Sequence, residues 1–259
     1  MAYRAIRCRS EKGVFRVTLD RPKVLNALDG AMLREIREAL AQAAADREVR
    51  VILIDAAGRR AFSAGIDVAY VKDLDGYGTR EVGRELHRTF LALRTVDKPV
   101  VAAIDGLCLG AGLELAVSCD FMIATGRSRF GLPNIHRGIP AIVEAAILPL
   151  AVGIQGAREL CYLGEFWDAA KAERRGLLHS VHAVAGFQRA VAALCGKLAE
   201  KSPRAMGTQK EIIHKWMTTD LESAIDFSIN TVVLNWMTRD QKEGMGAFLE
   251  KRRARFAGA

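Results

Sequence analysis

The sequence predicts an α/β fold with an all-helical end. Three observations carry that expectation. Short apolar runs alternate with segments of helical period through most of the chain, which is the pattern of parallel strands joined by helices. Tight turns follow the apolar runs, at Gly58 and at Asp105-Gly106. From Ala185 onward only helical character is found, with a break at Ser202-Pro203. Residues 1–200 therefore read as the α/β core and 201–259 as an appended helical region.

Element by element, Met1 to Asp20 reads as a polar-edged strand pair, with Val14 to Leu19 its clearer half. Ala31 to Ala45 is amphipathic, with Leu33, Ile36 and Leu40 at helical spacing. Val51 to Asp55 is a short buried strand. The loop Val68 to Thr79 contains Asp75-Gly76 and Gly78 and reads as mobile, and Glu81 to Leu93 as the next helix. Val100 to Ile104, Phe121 to Ala124 and Arg129 to Gly131 follow as strands. Pro140 to Ala151 reads as a long apolar helix with proline in its first turn. Two more helices are expected over 155–163 and 168–175, then a strand over Ser180 to Val184.

Half of the 259 residues are hydrophobic and 26% are charged, an ordinary composition for a soluble protein. The richest apolar stretch, 99–118, is interrupted by Asp105 and Glu114, so no membrane span is expected. Arg4, Arg7, Arg9, Glu11, Lys12 and Arg16 leave no secretory apolar stretch near the start, and the expected location is the cytoplasm. The five cysteines and five histidines show no metal spacing, so neither a zinc site nor any other metal is expected. The net charge of +8 is spread thinly apart from Lys251-Arg252-Arg253-Arg255. Without an aromatic RNA-binding motif or a helix-turn-helix, that cluster reads as a solvated helix end rather than a nucleic-acid surface; a phosphorylated small molecule also suits the charge.

Chemistry concentrates in two segments. In KPVVAAIDGLCLGAGLELAVSCD (98–120) a strand turns at Asp105-Gly106 and runs through Gly110-Ala111-Gly112 into a helix whose first turn carries Glu114, a lone acid among apolar neighbours. Amides at a helix start lack internal partners and lie at the positive end of the dipole, and small residues admit a substrate oxygen. In RRAFSAGID (59–67) a strand ends in Ser63-Ala64-Gly65, leaving the Ile66 N–H free to point outward. Two such turns, each giving one N–H, make an oxyanion hole, a device that stabilises an enolate by about 3–4 kcal/mol per donor.

FSAGID, KPVVAAIDGLCLGAGLELAVSCD, the earlier RPKVLNAL and the later DQKEGMGAFLEKRRARF fall in order over residues 21–256. Together they resemble the enoyl-CoA hydratase/isomerase (crotonase) superfamily. The resemblance implies a crotonase-like spiral of ββα units with a C-terminal helical trimerisation region, assembling as a trimer or a dimer of trimers. It implies an acyl-CoA thioester substrate and no cofactor, coenzyme A being part of the substrate. The oxyanion donors map onto the amides of Ile66 and Ala111, the latter standing where many relatives have glycine. Glu114 matches the glutamate that activates water for attack at C3. The second glutamate of hydratases, which delivers a proton to C2, falls in Gly131-Leu132-Pro133-Asn134, where this chain has Asn134. An amide can orient water or bind substrate but cannot exchange protons at neutral pH.

Some relatives carry an acid at the position of Ala141. Glu144 lies three residues on, on the same face of the expected helix, and is the candidate replacement; a dipole-favoured acid or a subunit contact is the competing reading. His136 and Arg137 read as rim residues. For the CoA moiety the resemblance points to Lys23, Val24 and Leu25 in the N-terminal segment, Arg60 ahead of the first turn, and the backbone around Ala64, Ile66 and Asp67. Phe248 and Lys251 match an adenine-phosphate contact made by the last helix of the same or a neighbouring subunit. The acyl chain is expected near Tyr70, Val71, Leu74 and Leu109. Enoyl-CoA hydratase is the leading activity. A double-bond isomerase, which needs one proton shuttle, is the alternative, followed by a member that binds CoA thioesters or RNA without turnover.

Overall fold

The computed structural model describes residues 3–258. Strands β1 (Ile6–Glu11) and β2 (Val14–Leu19) form an antiparallel hairpin, as the polar-edged pair suggested. The chain then passes through helix α1 (Gly30–Ala45) into a repeating path. β3 (Val51–Ala56) is followed after a short corner by β4 (Ala61–Ser63), then by the single turn α2 (Val68–Val71) and the long α3 (Gly76–Thr95). β5 (Val100–Ile104) is followed by β6 (Leu107–Leu109) and α4 (Ala111–Val117). β7 (Phe121–Thr125) is followed by β8 (Arg129–Gly131) and α5 (Leu148–Arg158).

Each repeat gives its first strand to a six-stranded sheet of order β1-β2-β3-β5-β7-β10 and its second to a four-stranded sheet of order β4-β6-β8-β9. From β2 onward the large sheet is parallel, closed by β10 (Ser180–His182). In the small sheet β4, β6 and β8 run parallel, and β9 (Trp167–Asp168) pairs antiparallel with β8. This is the expected ββα spiral. The small-sheet strands Leu107–Leu109 and Trp167–Asp168 were not anticipated, because two or three residues are too few to show a period.

The central strands β3, β5 and β7 of the large sheet are buried on both faces, which makes them continuous apolar runs rather than alternating ones. Ile52, Ile54, Val100, Ala102 and Ile104 enter the main core with α1 and α3. Val51, Leu53, Val101, Ala103 and Ile123 point the other way, onto Phe187, Val191 and Cys195 of α7 (Val184–Ala199), which follows the short α6 (Ala169–Arg174). The chain ends in α8 (Pro203–Thr218), α9 (Leu221–Trp236) and α10 (Arg239–Leu249). Lys210 of α8 fastens this end to the core, donating to the carbonyls of Leu93 (2.7 Å) and Lys98 (3.1 Å) and to Asp120 Oδ2 (2.7 Å).

Two expected helices begin elsewhere. α3 starts at Gly76 rather than Glu81, because Asp75 caps it by accepting from Gly78 N (2.7 Å); the loop shrinks to a few residues around α2. The helix expected from Pro140 does not form over 140–143. A 3₁₀ turn starts at Glu144 and α5 follows from Leu148, with a break at Gly153 that separates what read as two helices.

Candidate active site

Three neighbouring parallel strands of the small sheet, β4, β6 and β8, end side by side, and each hands the chain directly to a site segment. β4 leads to Ala64-Gly65-Ile66, β6 to Gly110-Ala111, and β8 to Leu132-Pro133-Asn134.

The first segment is pinned by RPKVLNAL. Ala64 N donates to Leu25 O (3.0 Å), Leu28 N to Gly65 O (2.8 Å) and Asp67 N to Leu28 O (2.8 Å). This parallel bridge engages Leu28 with the residues on either side of Ile66, so the Ile66 amide itself points away from Leu28. Asn26 holds the pinning segment in place. It is buried, adopts a left-handed φ of 53°, accepts from Arg21 N (2.9 Å), and donates to the carbonyls of Ala57 and Ala61 (2.9 Å each).

The second segment approaches the first closely. Gly65 has φ 100°, and a Cβ on it would lie 3.0 Å from Leu109 O and 3.3 Å from Ala111 N. A Cβ on Gly112 would lie 2.6 Å from that of Ser63, so α4 can start here only on a residue without a side chain. Neither Ile66 N nor Ala111 N has a hydrogen-bond acceptor among the described residues. The two turns converge.

Glu114, in the first turn of α4, is 3% exposed. Its Oε2 accepts from the amides of Val143 (3.2 Å) and Ala145 (3.3 Å), so it caps the 3₁₀ turn. Oε1 has no partner among the described residues and is not sealed from solvent. Burial raises the Glu114 pKa above the ordinary carboxylate value; the Glu144 charge adds to the rise and the amides of Ala145 and Val143 oppose it.

Glu144 is 2% exposed. Its Oε1 is shared by Arg94 (2.9 Å) and His87 Nδ1 (3.0 Å), both on α3, while Oε2 is buried without a partner. Burial raises its pKa, against the His87 hydrogen bond and the Arg94 charge. Asn134 is half-buried at the end of β8, with Oδ1 3.2 Å from where a Cβ on Gly110 would sit.

Other residues singled out from sequence have varied placements. Leu109 is buried at the end of β6, and Leu25 is half-buried beside Ala64. Tyr70 lies on α2 with its hydroxyl 2.8 Å from where a Cβ on Gly30 would sit. Asp67 is engaged within the chain, capping α2 through Ala69 N (3.0 Å) and pairing with Arg21 (2.9 Å). Lys23, Val24 and Arg60 are exposed on the corners beside the first turn. Phe248, near the end of α10, and Lys251, just beyond it, are exposed, and α10 packs on α9. Sequence reasoning overlooked Arg21, Asn26, His87 and Arg94 as site-building residues. Cys161 lies close enough to Glu114 for that charge to add to burial in raising its pKa. Among the described residues no group of three metal-ligating side chains is found, and no helix is long and apolar enough to cross a membrane.

The family model described as enoyl-CoA hydratase/isomerase matches residues 9–259. The chain belongs to the enoyl-CoA hydratase/isomerase family. Among curated family members, the crotonyl-CoA hydratase of Syntrophomonas wolfei is 35% identical over 99% of both chains. The short-chain-enoyl-CoA hydratase of Clostridium acetobutylicum is 33% identical over 92% of this chain and 91% of its own. Among solved structures, an enoyl-CoA hydratase from Bacillus anthracis superposes with a TM-score of 0.94 at 29% identity, covering 99% of this chain and all of the other. The family match takes in all three strand-end segments and the C-terminal helices.

Proposed function

We propose that the protein is an enoyl-CoA hydratase that adds water across the double bond of a 2-enoyl-CoA. The observation that carries this is the buried carboxyl of Glu114, in the first turn of α4, beside the close approach of Gly65 to Ala111, where the amides of Ile66 and Ala111 have no acceptor among the described residues. The Ile66 and Ala111 amides donate to the thioester oxygen and favour the enolate. Glu114 takes a proton from water as the water oxygen bonds to C3. The enolate then collapses as a proton reaches C2, which restores the catalyst. The curated hydratases matched over nearly their full length support this reading.

With Asn134 in place of the second acid, two carboxyls are candidates for the C2 proton. Glu114 can return the proton it took. Glu144 has one oxygen held by Arg94 and His87 and another free to carry a proton. Asn134, at the same turn, orients water or substrate. Phe248 and Lys251 serve the CoA moiety of a neighbouring copy in a trimer or dimer of trimers, a role supported by their exposure and by the apolar residues Ile225, Ile229, Val233 and Trp236 left exposed on α9.

The test is incubation with crotonyl-CoA. Hydration removes the conjugated enoyl-thioester absorbance, and an unchanged spectrum would overturn the proposal. Asn134 favours one second reading, isomerisation by a single glutamate. In that case a 3-enoyl-CoA gains conjugation while crotonyl-CoA is left intact. Full activity in Glu144→Gln would remove Glu144 from the chemistry and leave Glu114 as the sole shuttle.

A further inference from the structure

An open, solvent-facing cavity of about 730 Å³ lies between α3 and the segment before the 3₁₀ turn, lined by the exposed side chains of Arg80, Arg84, His87 and Arg88 on one side and by Ile142 and Val143 on the other. It adjoins the catalytic carboxyl, because Val143, which lines it, is the residue whose amide donates to Glu114 Oε2.

Its chemistry is unusual for an acyl pocket. No acidic residue lines it. Arg84 and Arg88 are partly neutralised along the helix, pairing at 2.6 Å with Glu81 and Glu85. Arg80 has no carboxylate partner among the described residues, and His87 spends only Nδ1, on Glu144. Gly76, Arg80, Gly83 and His87 recur at helical spacing along α3 and form one stripe facing the cavity. Beside the glycines there is open space: a Cβ on Gly76 would meet nothing within 4 Å, and one on Gly83 would meet only Ile142 Cδ1 at 3.8 Å. Room and cationic side chains therefore alternate along one wall. A plain hydrocarbon tail gains nothing from an unpaired guanidinium group, whereas a carboxylate gains charge-assisted hydrogen bonds from it.

We infer that the preferred substrates are enoyl-CoA thioesters whose acyl chain ends in a second carboxylate, held by Arg80 with His87 beside it. This rests on the acyl-CoA reading above and names its substrate class. The test uses saturated thioesters, so that it does not depend on hydration: calorimetric binding of pentanedioyl-CoA against butanoyl-CoA at low ionic strength. The expected result is tighter binding of the dicarboxylic thioester, by about tenfold for one charge-assisted contact. Arg80→Ala abolishes that preference and Arg80→Glu reverses it. Equal affinities in the native protein overturn the inference. So does an Arg80 variant that weakens both thioesters alike, which would assign the cavity to the CoA phosphates. Crotonyl-CoA turnover in the same preparation shows separately whether the hydratase reading stands.

Discussion

Gly65 and Ala111 meet so closely that a methyl group on the glycine would lie 3.3 Å from the alanine's amide nitrogen. These two residues, forty-six positions apart in the chain, shape one small space from opposite sides. Gly65→Ala puts a side chain into that space and onto a backbone at φ 100°. The expected cost is about 1–3 kcal/mol of stability from strain, together with a fall in kcat of about 100-fold or more as the carbonyl is displaced from its donors. Thermal unfolding and steady-state kinetics on crotonyl-CoA measure the two losses separately.

Glu114→Gln keeps the shape and the hydrogen bonds from Val143 and Ala145 but removes the proton carrier. Activity is expected to drop about 100- to 10,000-fold. Stability should move the other way at neutral pH. Burial raises the Glu114 pKa from its ordinary 4.5, so the folded protein binds this proton more tightly than the unfolded chain does. The stabilisation that gives is complete below about pH 4.5 and is lost as the pH rises through the raised value. At pH 8 the variant should therefore melt above the native protein, with the gap closing in acid. A variant that melts lower at pH 8 would count against the buried charge.

Asn134→Glu places a carboxyl at the turn after β8, where the proposed function lacks a second acid. If Asn134 limits proton delivery to C2, hydration of crotonyl-CoA should rise about tenfold or more. An unchanged kcat would show that another group already performs the transfer.

Arg94→Leu leaves the buried Glu144 carboxylate without its cation. Removing one member of a buried pair costs about 3–5 kcal/mol, and chemical denaturation should show a loss of that order. Glu144→Gln in the same background should recover part of it, since the neutral amide needs no partner. Additive losses in the double variant would mean that the pair is uncoupled.

Much of this was legible in the sequence because the site is built from backbone turns, and turns leave a local mark. Gly110 and Glu114 lie within one short segment, Gly65 sits in a small-residue turn of its own, and the β3, β5 and β7 strands announce themselves as apolar runs. What stayed hidden depends on contacts distant in the chain. Nothing near Glu144 signals Arg94, fifty positions earlier, and nothing near Asn26 signals the carbonyls of Ala57 and Ala61. The false helix over 140–143 has a physical cause as well: its apolar composition suits burial, but the Val143 and Ala145 amides are directed to Glu114 and the turn begins only at Glu144.

The side-by-side ends of β4, β6 and β8 separate two duties along a strip three strands wide. If the site works as proposed, the outer and middle strands hold the thioester and the third carries the group that decides the fate of the bound anion. A single replacement after β8 would then redirect reactivity without loosening the grip, which makes position 134 the place to measure it.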